Sequence, residues 1–456
     1  MTIRSGNMGQ PKAHAGDSLV GAATITRRVA TYGEVFPDGS ILELIGGDRA
    51  GNPRLSLWSG GSETTGAVIE YGGVAYEPGH FAGSLLRELK LPTQCQPHGT
   101  TRELLAEICK LAEHFVGLPP ALASLVGRFV LCTWLLETLR VAPALILVGP
   151  DLARSNQLMT LLNCVCRHPL RMTGLTPAGL RSLPSGAGFT FLISQPIGDK
   201  LETLLDNASY RDQKILHQGG LLDLFGAQVI RMDSIPSGES FFHRSIVIPM
   251  TPGGEQLPVF DSDFQRRLAI DFQAKLRNFR RATLSVARKL RFDSSKFSFP
   301  MRMLADAMAA ATPDDAELQK EVLELLREKD NEIRAGRWIE LNAVAVESLR
   351  MVCRESPGGS IYVGELLKIA QEILAGRGVD TKIDPGAFGK RLKFLGFPTE
   401  PRDAKGMKIR LSEEVCRRAD QLARDYCVPR ADEAAPTEPA GEQRPNDVRG
   451  ASGTSM

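Results

Sequence analysis

A chain of 456 residues with 43% hydrophobic and 24% charged residues is long enough for two or three domains of roughly 100 to 200 residues, with the composition of an ordinary globular protein. The formal net charge of +2 is too small to select a partner, so any affinity for nucleic acid has to come from local patches. Eight cysteines spread over this length fit a reducing cytoplasm better than a disulfide framework, and with no apolar core in the N-terminus "MTIRSGNMGQPKAHAGDS" export is not expected.

Residues 1–20 carry no periodic pattern and are expected to be disordered. Residues 21–95 alternate short β-rich runs with turn signals ("TITRRVATYGEVF", "PDG", "SILELIGG", "NPRLSLWSGG", "GAVIEYGGVAYEPG"), which predicts a small antiparallel sheet. From Thr100 the period becomes helical, in "TRELLAEICKLAEHFV" and "PALASLVGRFVLCTWLLETL", and these two helices lead into the strand "ALILVG". The longest apolar region is interrupted by Arg128, Glu137, Arg140 and Pro143 and lacks the roughly 20 uninterrupted residues of a membrane span. Strands and helices then alternate: a helix over 154–166, "PAGLRSL", the apolar run 189–194, "GDKLETLLDNA", "AQVIRM" and "RSIVIPM". This alternation predicts a mainly parallel sheet with helices on its faces over 96–258. A helical region follows over 259–336, within a nearly continuous helical pattern from Phe264 to Arg354 that breaks at Asp293 to Phe299. A compact unit spans 337–428, and a Pro-, Glu-, Ala- and Gly-rich tail over 429–456 is expected to be disordered. The fold class is thus α/β and multidomain.

The stretch "APALILVGPDLARSNQLMTLLNCVCRHPL" has the strand, turn and helix context of a phosphate loop. In such a loop backbone N–H groups cradle the phosphates, a Lys reaches the β/γ oxygens and a Ser/Thr hydroxyl binds Mg²⁺. Set without a gap against Gly-x4-Gly-Lys-Ser/Thr from Gly149 and Pro150, the second Gly becomes Arg154, the Lys becomes Ser155 and the Mg²⁺ ligand becomes Asn156. The second half of an ATPase site is an apolar strand ending in acids that hold Mg²⁺ and orient water. In "FTFLISQPIGD" those positions fall on Ser194 and Gln195, both uncharged.

The order of these segments, with "WLLETL", "APALILVGP" and "LMTLLNCVCRHPL" followed by the apolar strand and the C-terminal pattern below, resembles the P-loop ATPase and helicase-like proteins encoded beside phage- and plasmid-type primases in bacteria. The resemblance covers residues 85–428. It implies an ancestral ATP-driven role on nucleic acid, and the changes at Arg154, Ser155, Asn156, Ser194 and Gln195 remove the groups on which hydrolysis depends. No cofactor and no metal are expected, with weak ATP binding left open. The main rivals are an active ATPase with a divergent loop, in which Arg154 or a partner subunit supplies the positive charge, and a protein-interaction scaffold without nucleic-acid binding.

The C-terminal segments "ELNAVAVESLRMVC", "YVGELLKIAQEIL", "PGAFGKRLKFLGF" and "TEPRDAKGMKIRLS" read as helix, helix, helix and hairpin. That is the order of a winged helix, with a recognition helix over 384–395 and a wing over 398–411. Phe388, Leu392 and Leu395 fall on a buried face at spacings i, i+4 and i+7. Lys390, Arg391 and Lys393, with Arg402, Lys405, Lys408 and Arg410 on the wing, then form a basic surface suited to phosphates. DNA is the expected partner, and a homo-oligomeric or other protein contact is compatible with the same reading. The long basic helix "DFQRRLAIDFQAKLRNFRRATLSVARKLRF" is read as having a solvated charged face, with an auxiliary phosphate contact as the alternative. Cys164, Cys166 and His168 lack the second ligand pair of a zinc site and are read as core. His217, His243 and Arg244 are read as vestiges of sensor or finger positions.

Overall fold

The computed structural model describes residues 27–47, 52–234, 241, 244–252, 257–338, 340–379, 382–401, 403–404, 406–426 and 428. The expected disordered segments 1–20 and 429–456 lie outside the described residues. The chain is an α/β protein with an antiparallel sheet at its N-terminal side, a central parallel sheet with helices on both faces, and a separate small unit at the C-terminal side.

Among the described residues, the first elements are seven short strands: β1 (Arg27–Thr31), β2 (Gly33–Val35), β3 (Ile41–Ile45), β4 (Arg54–Ser59), β5 (Ser62–Gly66), β6 (Ile69–Tyr71) and β7 (Val74–Pro78). Strands β2 to β5 form the antiparallel meander that the alternation predicts, and β6 and β7 form a hairpin. One pairing was not legible from the sequence. Strand β1 joins β7 in parallel, Arg27 opposite Val74, so the first and last strands close this region on each other. The meander is not free-standing: Leu42, Leu44, Leu55 and Leu57 share one apolar core with Ala144 and Ile146 of the central sheet.

Helix α1 (Gly83–Glu88) precedes α2 (Thr101–Val116) and α3 (Pro120–Trp134), which a 3-10 turn at Leu136–Thr138 extends. The start of α2 is fixed by a reciprocal cap, with the Thr100 hydroxyl and the Glu103 carboxylate each accepting the other residue's backbone N–H, and its end by Gly117 in the left-handed conformation at φ 67°. The central sheet is built from β8 (Ala144–Val148), β9 (Pro169–Met172), β10 (Thr190–Ile193), β13 (Ala227–Met232) and β14 (Ile246–Pro249). Between them lie α4 (Leu152–Val165), α5 (Pro177–Arg181), α6 (Asp199–Ala208) and a hairpin of β11 (Ile215–His217) and β12 (Gly220–Leu222). The spatial order is β14-β8-β13-β10-β9, all parallel. Ranked along the chain, that is 5-1-4-3-2. The connections leaving the adjacent strands β8 and β13 therefore run in opposite directions across the sheet, and in open parallel sheets the crevice beyond the carboxyl ends at such a point is where ligands bind. The apolar run of β8 is what a strand covered on both faces requires.

Helices α7 (Ser262–Ala287), α8 (Phe299–Ala310) and α9 (Ala316–Trp338) pack over one face of this sheet and share its core through Phe272, Leu276, Met301 and Val322. The C-terminal unit comprises α10 (Leu341–Glu355), β15 (Ser360–Tyr362), α11 (Val363–Gly376), α12 (Pro385–Phe394), β16 (Lys408–Arg410) and α13 (Glu413–Asp425). Its core, which includes Val344, Leu349, Leu366, Phe388, Leu392, Ile409 and Val415, is a cluster of its own. No described helix is long and apolar enough to cross a membrane.

Candidate nucleotide loop and candidate nucleic-acid interface

Helix α4 begins at Leu152, only three residues after Gly149, and Asp151 caps it. The gapless comparison with a phosphate loop places Arg154 to Asn156 at the loop-to-helix junction. The structure places all three inside the helix. Gly149 adopts φ 136°, and a Cβ there would stand 2.3 Å from the Met250 carbonyl oxygen. A glycine is required here by the neighbouring strand, independent of any ligand.

The backbone donors of the turn are spent within the protein. Gly149 N donates to Met232 O at 3.3 Å and Asp151 N to Met250 O at 3.2 Å, while Pro150 has no N–H to give. The Asp151 carboxylate accepts from Arg154 N at 2.9 Å. Its other oxygen lies 3.4 Å from Arg154 Nε, and the Arg154 guanidinium also donates to Gly117 O at 3.4 Å. A carboxylate thus sits at the positive end of α4, where a phosphate would be held, and an arginine neutralises it. Ser155 is buried and donates its hydroxyl to Asp151 O at 2.8 Å. Asn156 accepts from Arg171 Nη2 at 3.1 Å, and Arg171 also donates to Thr160 Oγ1.

At the end of β10, Gln195 clamps the turn after β9: its amide oxygen accepts from Leu175 N at 3.0 Å and its amide nitrogen donates to Leu175 O at 3.1 Å. The Ser194 hydroxyl is buried with no hydrogen-bond partner among the described residues. A charged pair that sequence reasoning missed stands at the carboxyl end of the neighbouring strand, with Arg231 Nη2 2.7 Å from Asp233 Oδ1. The signal was present in "VIRMD", a strand whose apolar run ends in two charges.

The other singled-out residues are dispersed. His217 lies at the β11–β12 turn, where Leu216 and Leu221 face each other across the hairpin and are 71% and 69% exposed. Arg244 precedes β14, at the opposite end of the sheet from the loop. There it is buried, pairs with Asp206 and lies over the Tyr210 ring, and burial lowers its pKa to about 10. His243 lies outside the described residues. Cys164 and Cys166 are buried, and burial pushes the Cys164 thiol up to about 11 and that of Cys166 higher still. The His168 ring donates from Nδ1 to Ala187 O at 2.8 Å.

In the C-terminal unit, Asp384 caps α12 and Pro385 occupies its first turn. Phe388, Leu392 and Leu395 are buried, so Lys390, Arg391 and Lys393 project to solvent from the other face. Among the described residues none of these three forms an ion pair with a carboxylate. Phe394, which no sequence pattern singled out, stands beside them 74% exposed. In the segment expected to form a wing, Arg410 is exposed, whereas Lys408 is half-buried and lies 3.1 Å from a Glu400 oxygen. Arg402 and Lys405 lie outside the described residues. Strand β16 pairs with β15, Ile409 opposite Ile361, and ties the segment to the start of α11.

No family model and no curated protein matches the chain. Among solved structures it is similar to the apo A form of the NrS-1 C-terminal region, at 12% identity and a TM-score of 0.35 over 81% of this chain and 96% of that one. It is also similar to a full-length MCM homolog from Methanopyrus kandleri, at 10% identity and a TM-score of 0.34 over 64% of this chain and 78% of that one. A third similarity is to Cdc6p from Pyrobaculum aerophilum, at 12% identity and a TM-score of 0.18 over 70% of this chain and 94% of that one.

Proposed function

We propose that this protein is a nucleic-acid-associated factor built on a P-loop ATPase architecture that no longer hydrolyses ATP, and that its C-terminal unit is a winged helix that contacts duplex DNA. The observation that carries the first part is the Asp151 carboxylate capping α4 while Arg154 neutralises it. An anionic side chain at the helix N-terminus competes with a phosphate for the same donors and the same positive potential. The Lys, the Mg²⁺ hydroxyl and both strand-end acids of an active site are replaced by Ser155, Asn156, Ser194 and Gln195, so the groups that stabilise a transferring phosphate are missing.

For the second part, exposed Lys390, Arg391 and Lys393 share one face of a helix whose opposite face is locked into a core. Exposed cations on a helix packed in this way are suited to phosphate contacts, which position a protein on DNA without reading its sequence.

The test uses the full chain. Phosphate release from ATP with Mg²⁺ stays at background, and a labelled duplex binds with a steep salt dependence. Replacing Lys390, Arg391 and Lys393 by Ala lowers the affinity and reduces the salt slope by about 0.9 for each phosphate no longer neutralised. Hydrolysis that survives purification and disappears in Arg154→Ala overturns the first part in favour of a divergent active ATPase. Duplex binding absent at low salt, or unchanged in the folded triple variant, overturns the second.

A further inference from the structure

At the amino end of the central sheet, opposite the candidate nucleotide loop, the chain encloses a cleft of about 750 Å³. One wall is the segment from Thr138 to Val141 that leads into β8. A second is the turn at Tyr210 to Gln213 after α6, and the third runs from the last turn of α7 through Phe292 into α8. Val141 and Tyr210 are bridged by backbone pairing, so the first two walls are held to each other. A ligand in this cleft would be separated from Gly149 by the length of β8, roughly 3.3 Å per residue over five residues.

The cleft's charge is uneven. Arg140, Arg288, Arg291 and Arg302 line it, against Asp212 and Asp306. Among the described residues no ion pair joins Arg140, Arg288 or Arg291 to a carboxylate, and all three are exposed. Arg302 is held by donating from Nε to Phe297 O at 2.9 Å. The Asp306 carboxyl is raised above the usual range, with burial as the main cause. The floor is apolar, from Val141, Leu290 and Met303, and the Phe299 ring stands 59% exposed at the lining. The long basic helix thus divides its charges: Arg277 and Arg280 are buried inside the molecule, while Arg288 and Arg291 beyond its last turn face this space.

We propose that this cleft binds a nucleotide unit, with the phosphate held by the arginine walls and the base lodged on the apolar floor against Phe299. Guanidinium forks match phosphate oxygens in pairs, and an exposed aromatic ring beside them offers a stacking surface that every base can use. The carboxyl groups of Asp212 and Asp306 supply acceptors for sugar hydroxyls or base N–H groups. A free nucleotide and one residue of a single strand present the same chemistry, and the experiment separates the two.

The experiment uses the full chain carrying Lys390→Ala, Arg391→Ala and Lys393→Ala, so that the C-terminal contact proposed above is removed. Anisotropy of a fluorescein-labelled oligothymidylate is followed over a range of salt. Binding persists in this background. Adding Arg288→Gln and Arg291→Gln weakens it about tenfold and lowers the salt slope by about 0.7 for each phosphate no longer neutralised. Adding Phe299→Ala instead weakens it about tenfold with the slope unchanged, because stacking carries no counterion release. Thymidine monophosphate displacing the oligomer identifies a free-nucleotide site, and displacement only by unlabelled oligomer identifies a strand site. Loss of binding in the triple background, or binding that ignores both the arginine and the phenylalanine variants, overturns the proposal. If the double arginine variant melts early, Arg140→Gln on a different wall answers the same question. If wild-type protein binds the oligomer but not duplex, the C-terminal reading alone fails.

Discussion

Gly149 and Asp151 show how far two residues can set the character of a loop. A side chain at Gly149 would need both a positive φ and space already filled by the Met250 carbonyl. Gly149→Ala is therefore expected to destabilise the protein by about 2 kcal/mol, the middle of the range for a strained backbone position, read as a lowered midpoint in urea. An unchanged midpoint would mean that the β14 side of the turn is loosely packed. Titration gives a second residue-scale expectation. The Glu63 carboxyl is lowered from 4.5 to about 2, first by the hydrogen bond from Arg281, and His168 is lowered from 6.5 to about 3, first by burial and then by the Arg167 charge. Both folded values lie below the unfolded ones. The unfolded chain therefore binds more protons in these windows, and stability falls as pH drops. The His168 contribution is complete above 6.5 and lost on falling toward 3, and the Glu63 contribution is complete above 4.5 and lost on falling toward 2. Melting followed across this range should show a progressive loss. His168→Asn, which suits the positive φ of 43° at this position, should flatten the upper part only.

Helix α7 is the element whose role departs most from its sequence pattern. Its charged face was expected in solvent, yet Arg277 and Arg280 are buried and the Arg281 side chain is nearly so. Arg280 grips Glu137 with two nitrogens, at 2.7 and 3.0 Å, donates to Trp134 O and places Nε 3.3 Å from Glu43. Arg277 bridges Glu43 at 2.9 Å and Glu63 at 2.7 Å, Arg281 reaches Glu63 and Ser56, and Arg167 completes the set on Glu137. Burial pushes the Glu137 carboxyl up, but the charges of Arg167 and Arg280 push it down further, to well below the ordinary range. Carboxylates from the N-terminal meander and from the end of α3 are thus drawn onto one helix. Removing a single member leaves the others buried and uncompensated, which costs about 3 to 5 kcal/mol. Arg280→Ala should show a loss of that size in denaturant unfolding. A loss under about 1 kcal/mol, the scale of an exposed pair, would mean that the network is hydrated.

For the whole molecule, the partition of the cores decides what can fold alone. The C-terminal unit keeps its apolar cluster to itself, from Ala343 to Val428, whereas the N-terminal strands contribute to the same clusters as the central sheet. A fragment of residues 337–428 is expected to melt cooperatively, as a small domain with its own core does. Calorimetry that finds no transition in the fragment, while the full chain retains one, would show that the unit depends on α9 and the central sheet.

Much of this was determined by the sequence alone, because it is written in short-range periodicity. The order of strands and helices, the covered strand β8 and the inward face of α12 through Phe388, Leu392 and Leu395 all follow from patterns of a few residues. The uncharged Ser155, Asn156, Ser194 and Gln195 are likewise read directly from the sequence. Tertiary structure decided the rest, because the deciding partners are remote in the chain. Whether the amides near Gly149 can face a ligand depends on Met232 and Met250. Whether an arginine of α7 meets water depends on Glu43, 234 residues away from Arg277. The parallel pairing of β1 with β7 and the arginine-lined cleft at the far end of β8 likewise exist only once the chain has closed, since hydrogen bonds and charges are satisfied by whatever packing brings near them.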